Sequence, residues 1–184
     1  MNYGNLLSNQ KNVPGGGVLE VGVWRGGTGA LLAAAVNKIG LNEKVYLFDT
    51  FTGVVKTSDK DDSGFYHDGK HNDTSIEIVK NLINSMSLTN VEIHKGIFPE
   101  EADSIFLNKT YRFVHIDVDI YESAKDIFFT IWKNVVNGGM VVFDDYGFVS
   151  TKGVTALLNE IKNTISDGIF YYNVNGHGVF IKYK

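Results

Sequence analysis

Residues 18–29 read Val-Leu-Glu-Val-Gly-Val-Trp-Arg-Gly-Gly-Thr-Gly. A short apolar run with β-branched residues (18–23) passes through a glycine-rich turn into an Ala/Leu-rich helix, 28–39. A strand that is apolar on both faces, followed by a tight turn and a helix, is the first unit of an open parallel sheet. Outward from it the unit repeats. A second strand, 44–48, ends at Asp49. Residues 74–86 return to helical spacing with Ile76, Val79, Leu82 and Ile83 on one face, and Thr74 with Glu77 fits a capping box. A third strand (91–94), a short helix (99–107), a fourth strand (113–118) and a helix over 123–136 follow. Gly138-Gly139 stops that helix before a fifth strand at 140–143 and a helix at 154–165. The last two strands, 169–174 and 178–183, are joined at Asn175-Gly176, which is too short for a parallel crossover. The expectation is a doubly wound α/β fold: a mostly parallel, seven-stranded sheet with an antiparallel last strand.

The 184 residues, 43% hydrophobic and 21% charged, suit one domain over 1–184 and exclude wholesale disorder. Residues 1–14 read as a loose lead-in. Residues 50–74 have no sustained periodicity but hold five aspartates, Asp59, Asp61, Asp62, Asp68 and Asp73, and read as a mobile acidic lid. No segment is long and apolar enough to span a membrane, and no secretory leader is evident. Zero Cys excludes a disulfide scaffold, a thiolate zinc site and a cysteine nucleophile. These points together fit a cytoplasmic protein. A net charge of −4 with only two Arg, Arg25 and Arg112, argues against a nucleic-acid surface.

Ligands of open parallel sheets bind beyond the carboxyl ends of the strands, so the residues that follow each strand are the candidates. The first turn is neither the dinucleotide pattern, since Trp24 stands where its second Gly belongs, nor a P-loop, since Thr28 replaces the required Lys. Glu20 is a carboxylate in an apolar strand end and calls for a cationic or hydrogen-bonding partner. Asp49 ends the second strand, where such folds grip a ribose, and with the first turn it suggests an adenosine-containing ligand. His115-Ile-Asp117-Val-Asp119 and Phe143-Asp144-Asp145-Tyr146 end the fourth and fifth strands. One such Asp would read as a helix cap; several on adjacent strands cannot all stay ionised without a cation, and hard oxygen donors suit Mg²⁺, Mn²⁺ or Ca²⁺. His115 reads as a core histidine, His67 and His71 as surface or lid groups, and His177 has no special claim. Phe51, Phe98, Tyr121 and Tyr146 border the expected cleft.

Five blocks, LEVGVWRGGTG (19–29), FDTFTG (48–53), HKGIFPEE (94–101), HIDVDIYESAKD (115–126) and VVNGGMVVFDDYG (135–147), resemble in order and spacing the S-adenosylmethionine-dependent O-methyltransferases of the macrocin (TylF/MycF-like) family. Catechol O-methyltransferase is a more distant likeness. The resemblance covers about residues 18–161 and implies a class I methyltransferase, Rossmann-like domain. It also implies Mg²⁺-dependent methyl transfer to a sugar hydroxyl of a natural product or glycan. By position it implies that Glu20 holds the methionine amino group, Gly22 lines the methionine, Thr28 binds its carboxylate and Asp49 takes the ribose. Gly96, Ile97 and Phe98 would border adenine. Asp117, Asp144 and Asp145 match the metal ligands, and Asp117 is also the family's proposed base. Family members usually carry a longer N-terminal region, whereas here the first strand begins near residue 18, which leaves the acceptor open. The lysine of catechol-type enzymes is replaced by Ile120.

The expected chemistry is chelation of two vicinal hydroxyls by the ion, with Asp117, or Asp119 through water, taking the proton. A small-molecule or glycan acceptor is expected, without nucleic acid or membrane, and a homo-oligomer would be one source of a missing lid. Two rivals are a glycosyltransferase using Asp117-Val-Asp119 for a nucleotide-sugar diphosphate, and a non-enzymatic S-adenosylmethionine-binding module.

Overall fold

The computed structural model of the chain describes residues 3–184. Seven strands, β1 (Gly17–Val21), β2 (Val45–Asp49), β3 (Val91–Lys95), β4 (Tyr111–Ile116), β5 (Val135–Phe143), β6 (Gly168–Tyr172) and β7 (Gly178–Lys182), form one sheet in the order β3-β2-β1-β4-β5-β7-β6. β1 to β5 pair in parallel, and β7 runs antiparallel between β5 and β6. Six helices accompany them: α1 (Tyr3–Ser8), α2 (Gly27–Lys38), α3 (Ile76–Ser85), α4 (Ser104–Leu107), α5 (Tyr121–Ile131) and α6 (Lys152–Ile161). The doubly wound sheet with its antiparallel last strand is as read from the sequence. Among the described residues no helix is long and apolar enough to cross a membrane.

Strand period two sorts the apolar residues into two cores. Leu19, Val21, Val114, Ile116, Val141 and Phe143 face α5 and α6; Val18, Phe113, Met140 and Val142 face α1 and α2. Glu20 and His115, cross-strand partners on β1 and β4, fall on the second of these faces.

Several boundaries differ from the reading above, each for a local reason. The lead-in is not loose: α1 and the turn after it cover α2, with Leu6 and Leu7 both 0% exposed. The Arg112 guanidinium fastens this segment by donating to Gln10 O at 3.0 Å and Gly16 O at 2.8 Å. Residues 1 and 2 of the lead-in lie outside the described residues. The cap of α3 is Ser75, whose Oγ accepts from Ile78 N, while Thr74 Oγ1 donates to Trp24 O. Gly138-Gly139 does not stop a helix but sits inside β5, where the pairing with β4 shifts register. The expected helix over 99–107 shrinks to α4.

Loop 50–74 forms no helix or strand, yet it is tied down. Asp61 is 6% exposed and its Oδ1 accepts the N–H of Tyr121 at 2.8 Å, capping α5, whose own N-cap, Ile120, offers no side-chain bond. Ser123 Oγ donates to Val55 O at 2.9 Å. A Cβ on Gly153 would stand 1.9 Å from Asp61 Oδ1, so α6 passes this anchor only as glycine. Asp61→Ala leaves a buried helix N–H unpaired and is expected to destabilise the chain by about 1–3 kcal/mol, measured as a lowered urea midpoint.

Candidate active site

The order of strands turns at β1 and β4, and a cavity of about 330 Å³ opens beyond their carboxyl ends. The parallel ladder continues one step past the strands: Asp117 N donates to Val21 O at 2.9 Å and Asp144 N to Ile116 O at 3.0 Å. Because Ile116 is registered with Phe143, the two acidic runs emerge side by side. Asp119 and Asp145 are both left-handed, at φ 66° and 65°, which turns their backbones back over the strand ends. Gly22 allows this packing, since a Cβ there would lie 1.8 Å from Asp117 O.

Two tight groups result. Donor atoms of Asp117, Asp119 and Asp145 lie within 4.8 Å of one another, and so do those of His115, Asp117 and Asp144. Asp117 belongs to both. Asp144 leans toward β7, its Oδ1 accepting Asp145 N at 3.0 Å and standing 3.6 Å from His177 Nε2. Burial, joined by Asp144, Asp119 and Asp145, raises the Asp117 pKa well above the carboxylate range. Burial and the Asp119 and Asp144 charges push Asp145 up to about 8. A cluster that retains protons near neutral pH because its carboxylates are buried and crowded together is one that a hard divalent cation would relieve, so the donor set fits Mg²⁺.

Of the expected cofactor residues, Gly22, Asp49, Gly96, Ile97 and Phe98 line the cavity together with all four strand-end aspartates. Glu20 and Thr28 do not. Glu20 is 1% exposed and sits behind the wall, its Oε1 3.0 Å from His115 Nδ1. Burial works against charge on His115, and Glu20 outweighs it, so the imidazole pKa is raised. Asp49 carries a second duty: Oδ2 accepts Val23 N at 2.7 Å and Trp24 N at 2.8 Å, and Oδ1 accepts Phe51 N at 2.6 Å. Its carboxylate thereby shapes the glycine-rich turn. Phe98 meets Phe48 edge-on at 5.2 Å, an apolar slot at the Gly96 end of the cavity.

Trp24, Tyr66 and Ser123 also line the site and had not been singled out; His71, read only as a surface or lid group, joins them. Trp24 is held by Asp73, whose Oδ1 accepts the indole N–H at 2.8 Å while Oδ2 accepts Arg25 Nη2 at 2.6 Å. Tyr66 Oη donates to Asp119 Oδ1 at 2.9 Å; burial and the nearby Asp119 raise the phenol pKa, keeping it a donor. The signal available for Tyr66 and His71 was their place in an aperiodic acidic loop, for Trp24 its place in the glycine-rich turn after β1, and for Ser123 its place in the first turn of α5.

Residues 7–182 match the pattern of the macrocin O-methyltransferase (TylF) family. The chain belongs to that family. A demethyldecarbamoylnovobiocin O-methyltransferase of Streptomyces niveus is 30% identical over 143 residues, 73% of this chain and 54% of the relative. The chain thus spans about half the length of that curated relative. The calicheamicin methyltransferase CalS11 superposes with a TM-score of 0.82 at 17% identity, covering 97% of this chain and 76% of CalS11. Its apo form, described as a TDP-rhamnose 3′-O-methyltransferase, gives 0.70 at 16% identity, covering 97% and 76%. The O-methyltransferase NovP gives 0.74 at 22% identity, covering 98% and 80%. These structures share the fold with this TylF-family chain.

The crowded carboxylates set the pH response of the metal-free protein. Asp117 and Asp145 bind protons in the folded chain that the unfolded chain loses above about pH 4, so stability falls as pH rises from there toward 8. With EDTA present, Tm is expected to decline across that window. Asp145→Asn should flatten the decline and raise Tm at pH 8, as read by calorimetry.

Proposed function

We propose that this TylF-family chain is a divalent-metal-dependent O-methyltransferase that moves a methyl group from S-adenosylmethionine to a hydroxyl of a sugar or other vicinal diol. The acceptor is a small natural product or glycan, and the site of action is cytoplasmic. The observation that carries the reading is the convergence of Asp117, Asp119, Asp144 and Asp145 at the strand ends, beside a cleft with an apolar slot at Gly96–Phe98. The description of one structural neighbour as a TDP-rhamnose 3′-O-methyltransferase supports the acceptor class.

When bound, the sulfonium cofactor would supply an activated methyl group, and a divalent ion, for which Asp117 is the donor common to both groups with Asp144 in one and Asp145 in the other, would lower the pKa of an acceptor hydroxyl. The chain's own residues supply the rest. Phe48, Ile97 and Phe98 offer the apolar surface for adenine, and Asp49 offers carboxylate oxygens to the ribose while it holds the turn. Gly22 lets the backbone approach the methionine, and Thr28 stands at the start of α2, whose amides favour a carboxylate. Glu20 acts from behind the wall by orienting His115. Asp119 takes the hydroxyl proton, with Asp117 the alternative base. Loop 50–74 covers the cleft and excludes water; alignment in such a closed site supplies up to about 7–11 kcal/mol of the barrier in the best cases.

S-adenosylhomocysteine titrated calorimetrically should bind at micromolar concentration, and an acceptor panel of glycosides and catechols should show methyl transfer that EDTA abolishes. Asp144→Ala is expected to reduce that transfer by about a hundredfold or more while changing cofactor affinity little. Equal loss of both would contradict the division of labour, and no cofactor binding by folded protein would overturn the reading.

A further inference from the structure

Asp119 is as close to Asp117 and Asp145 as a metal ligand would be, since the three donor atoms share one group within 4.8 Å. Nothing in its distance keeps it from being drawn onto a cation held by its neighbours. One contact does distinguish it. Tyr66 Oη donates to Asp119 Oδ1 at 2.9 Å, from the far side of the cavity and from a loop whose shape is already fixed. Tyr66 N donates to Asp62 O at 2.8 Å, and Asp68 Oδ1 accepts both Thr57 N at 3.0 Å and Thr57 Oγ1 at 2.9 Å, bracketing the tyrosine. On the other side the loop is fastened by Asp73 to Trp24 and Arg25. The Tyr66 ring stands 6.0 Å from His71, which stands 5.6 Å from Trp24, so the phenol is delivered by a continuous wall.

Resting on the cation-dependent reading above, we infer that Tyr66 is a positioning residue that reserves Asp119 for proton transfer by occupying one of its oxygens and holding the carboxylate off the cation. A hydrogen bond to an ionised carboxylate is among the stronger ones a side chain makes, and from a tied-down loop it takes one lone-pair site of Asp119 and directs the carboxylate toward Tyr66.

The test uses Mn²⁺ as probe, titrated by electron paramagnetic resonance into wild type, Tyr66→Phe, Asp119→Asn and the double variant. S-adenosylhomocysteine affinity of each checks that the fold is retained. Freed from the phenol, Asp119 should join the ion, so Tyr66→Phe should tighten Mn²⁺ binding by about three- to tenfold, and Asp119→Asn should erase that gain. A merely structural tyrosine would give no gain. Unchanged or weaker Mn²⁺ binding in Tyr66→Phe overturns the inference, as does an equal gain in the Asp119→Asn background. Absence of Mn²⁺ binding by wild type that still binds S-adenosylhomocysteine is a different failure: it removes the cation reading itself, and this inference with it.

Discussion

Repulsion among Asp117, Asp119, Asp144 and Asp145 is imposed by strand register. Ile116 pairs with Phe143, both are buried in one core, and the ladder runs on to Asp117 and Asp144, so neither acidic run can retreat without unzipping the sheet. Like charges held this close retain protons or take a cation. The neighbourhood follows from that constraint. Gly22 lacks a Cβ because the Asp117 carbonyl occupies its place, and Asp119 and Asp145 adopt left-handed backbones to bring their side chains over the strand ends. His115, paired with Glu20, places a raised-pKa imidazole against the same carboxylates.

The second organising element is the loop over the site. An acidic, aperiodic segment would be expected to wave in solvent, but its carboxylates are spent on backbone and side-chain donors: Asp61 caps α5, Asp68 turns the chain at Thr57, and Asp73 clasps Trp24 and Arg25. Two of its three lysines are likewise engaged, Lys56 with Glu100 and Asp126, Lys60 with Glu160. Each exposed pair is weak alone, and together with the buried Asp61 anchor they set the loop's path across the cavity.

Much of this was legible in the chain itself. Apolar runs without alternation, each followed by a turn and a helix, identify a parallel sheet; the short link at Asn175-Gly176 identifies its antiparallel end. The strand-end rule then selected Asp49, Gly96–Phe98 and the four aspartates, all of which line the cavity. What was illegible depended on contacts distant in sequence. Glu20 reads as a ligand contact, and its pairing with His115, 95 residues away, which engages Oε1 and leaves the buried Oε2 without a partner, could not be read locally. Leu6 and Leu7 read as lead-in because nothing local shows the face of α2 they cover. Tyr66 sits in a segment with no period, where only the fold tells which side chains turn inward.

On the proposed reading, a divalent ion displaces protons held by the acidic centre. Calorimetric titration of Mg²⁺ at pH 7, repeated in buffers of different ionisation enthalpy, counts those protons directly. One binding event is expected, with release of protons that is reduced in Asp145→Asn, because Asp145, pushed up to about 8, and Asp117, raised by burial, hold protons until the ion arrives. Mg²⁺ binding without proton release, or no binding to folded protein, would contradict it.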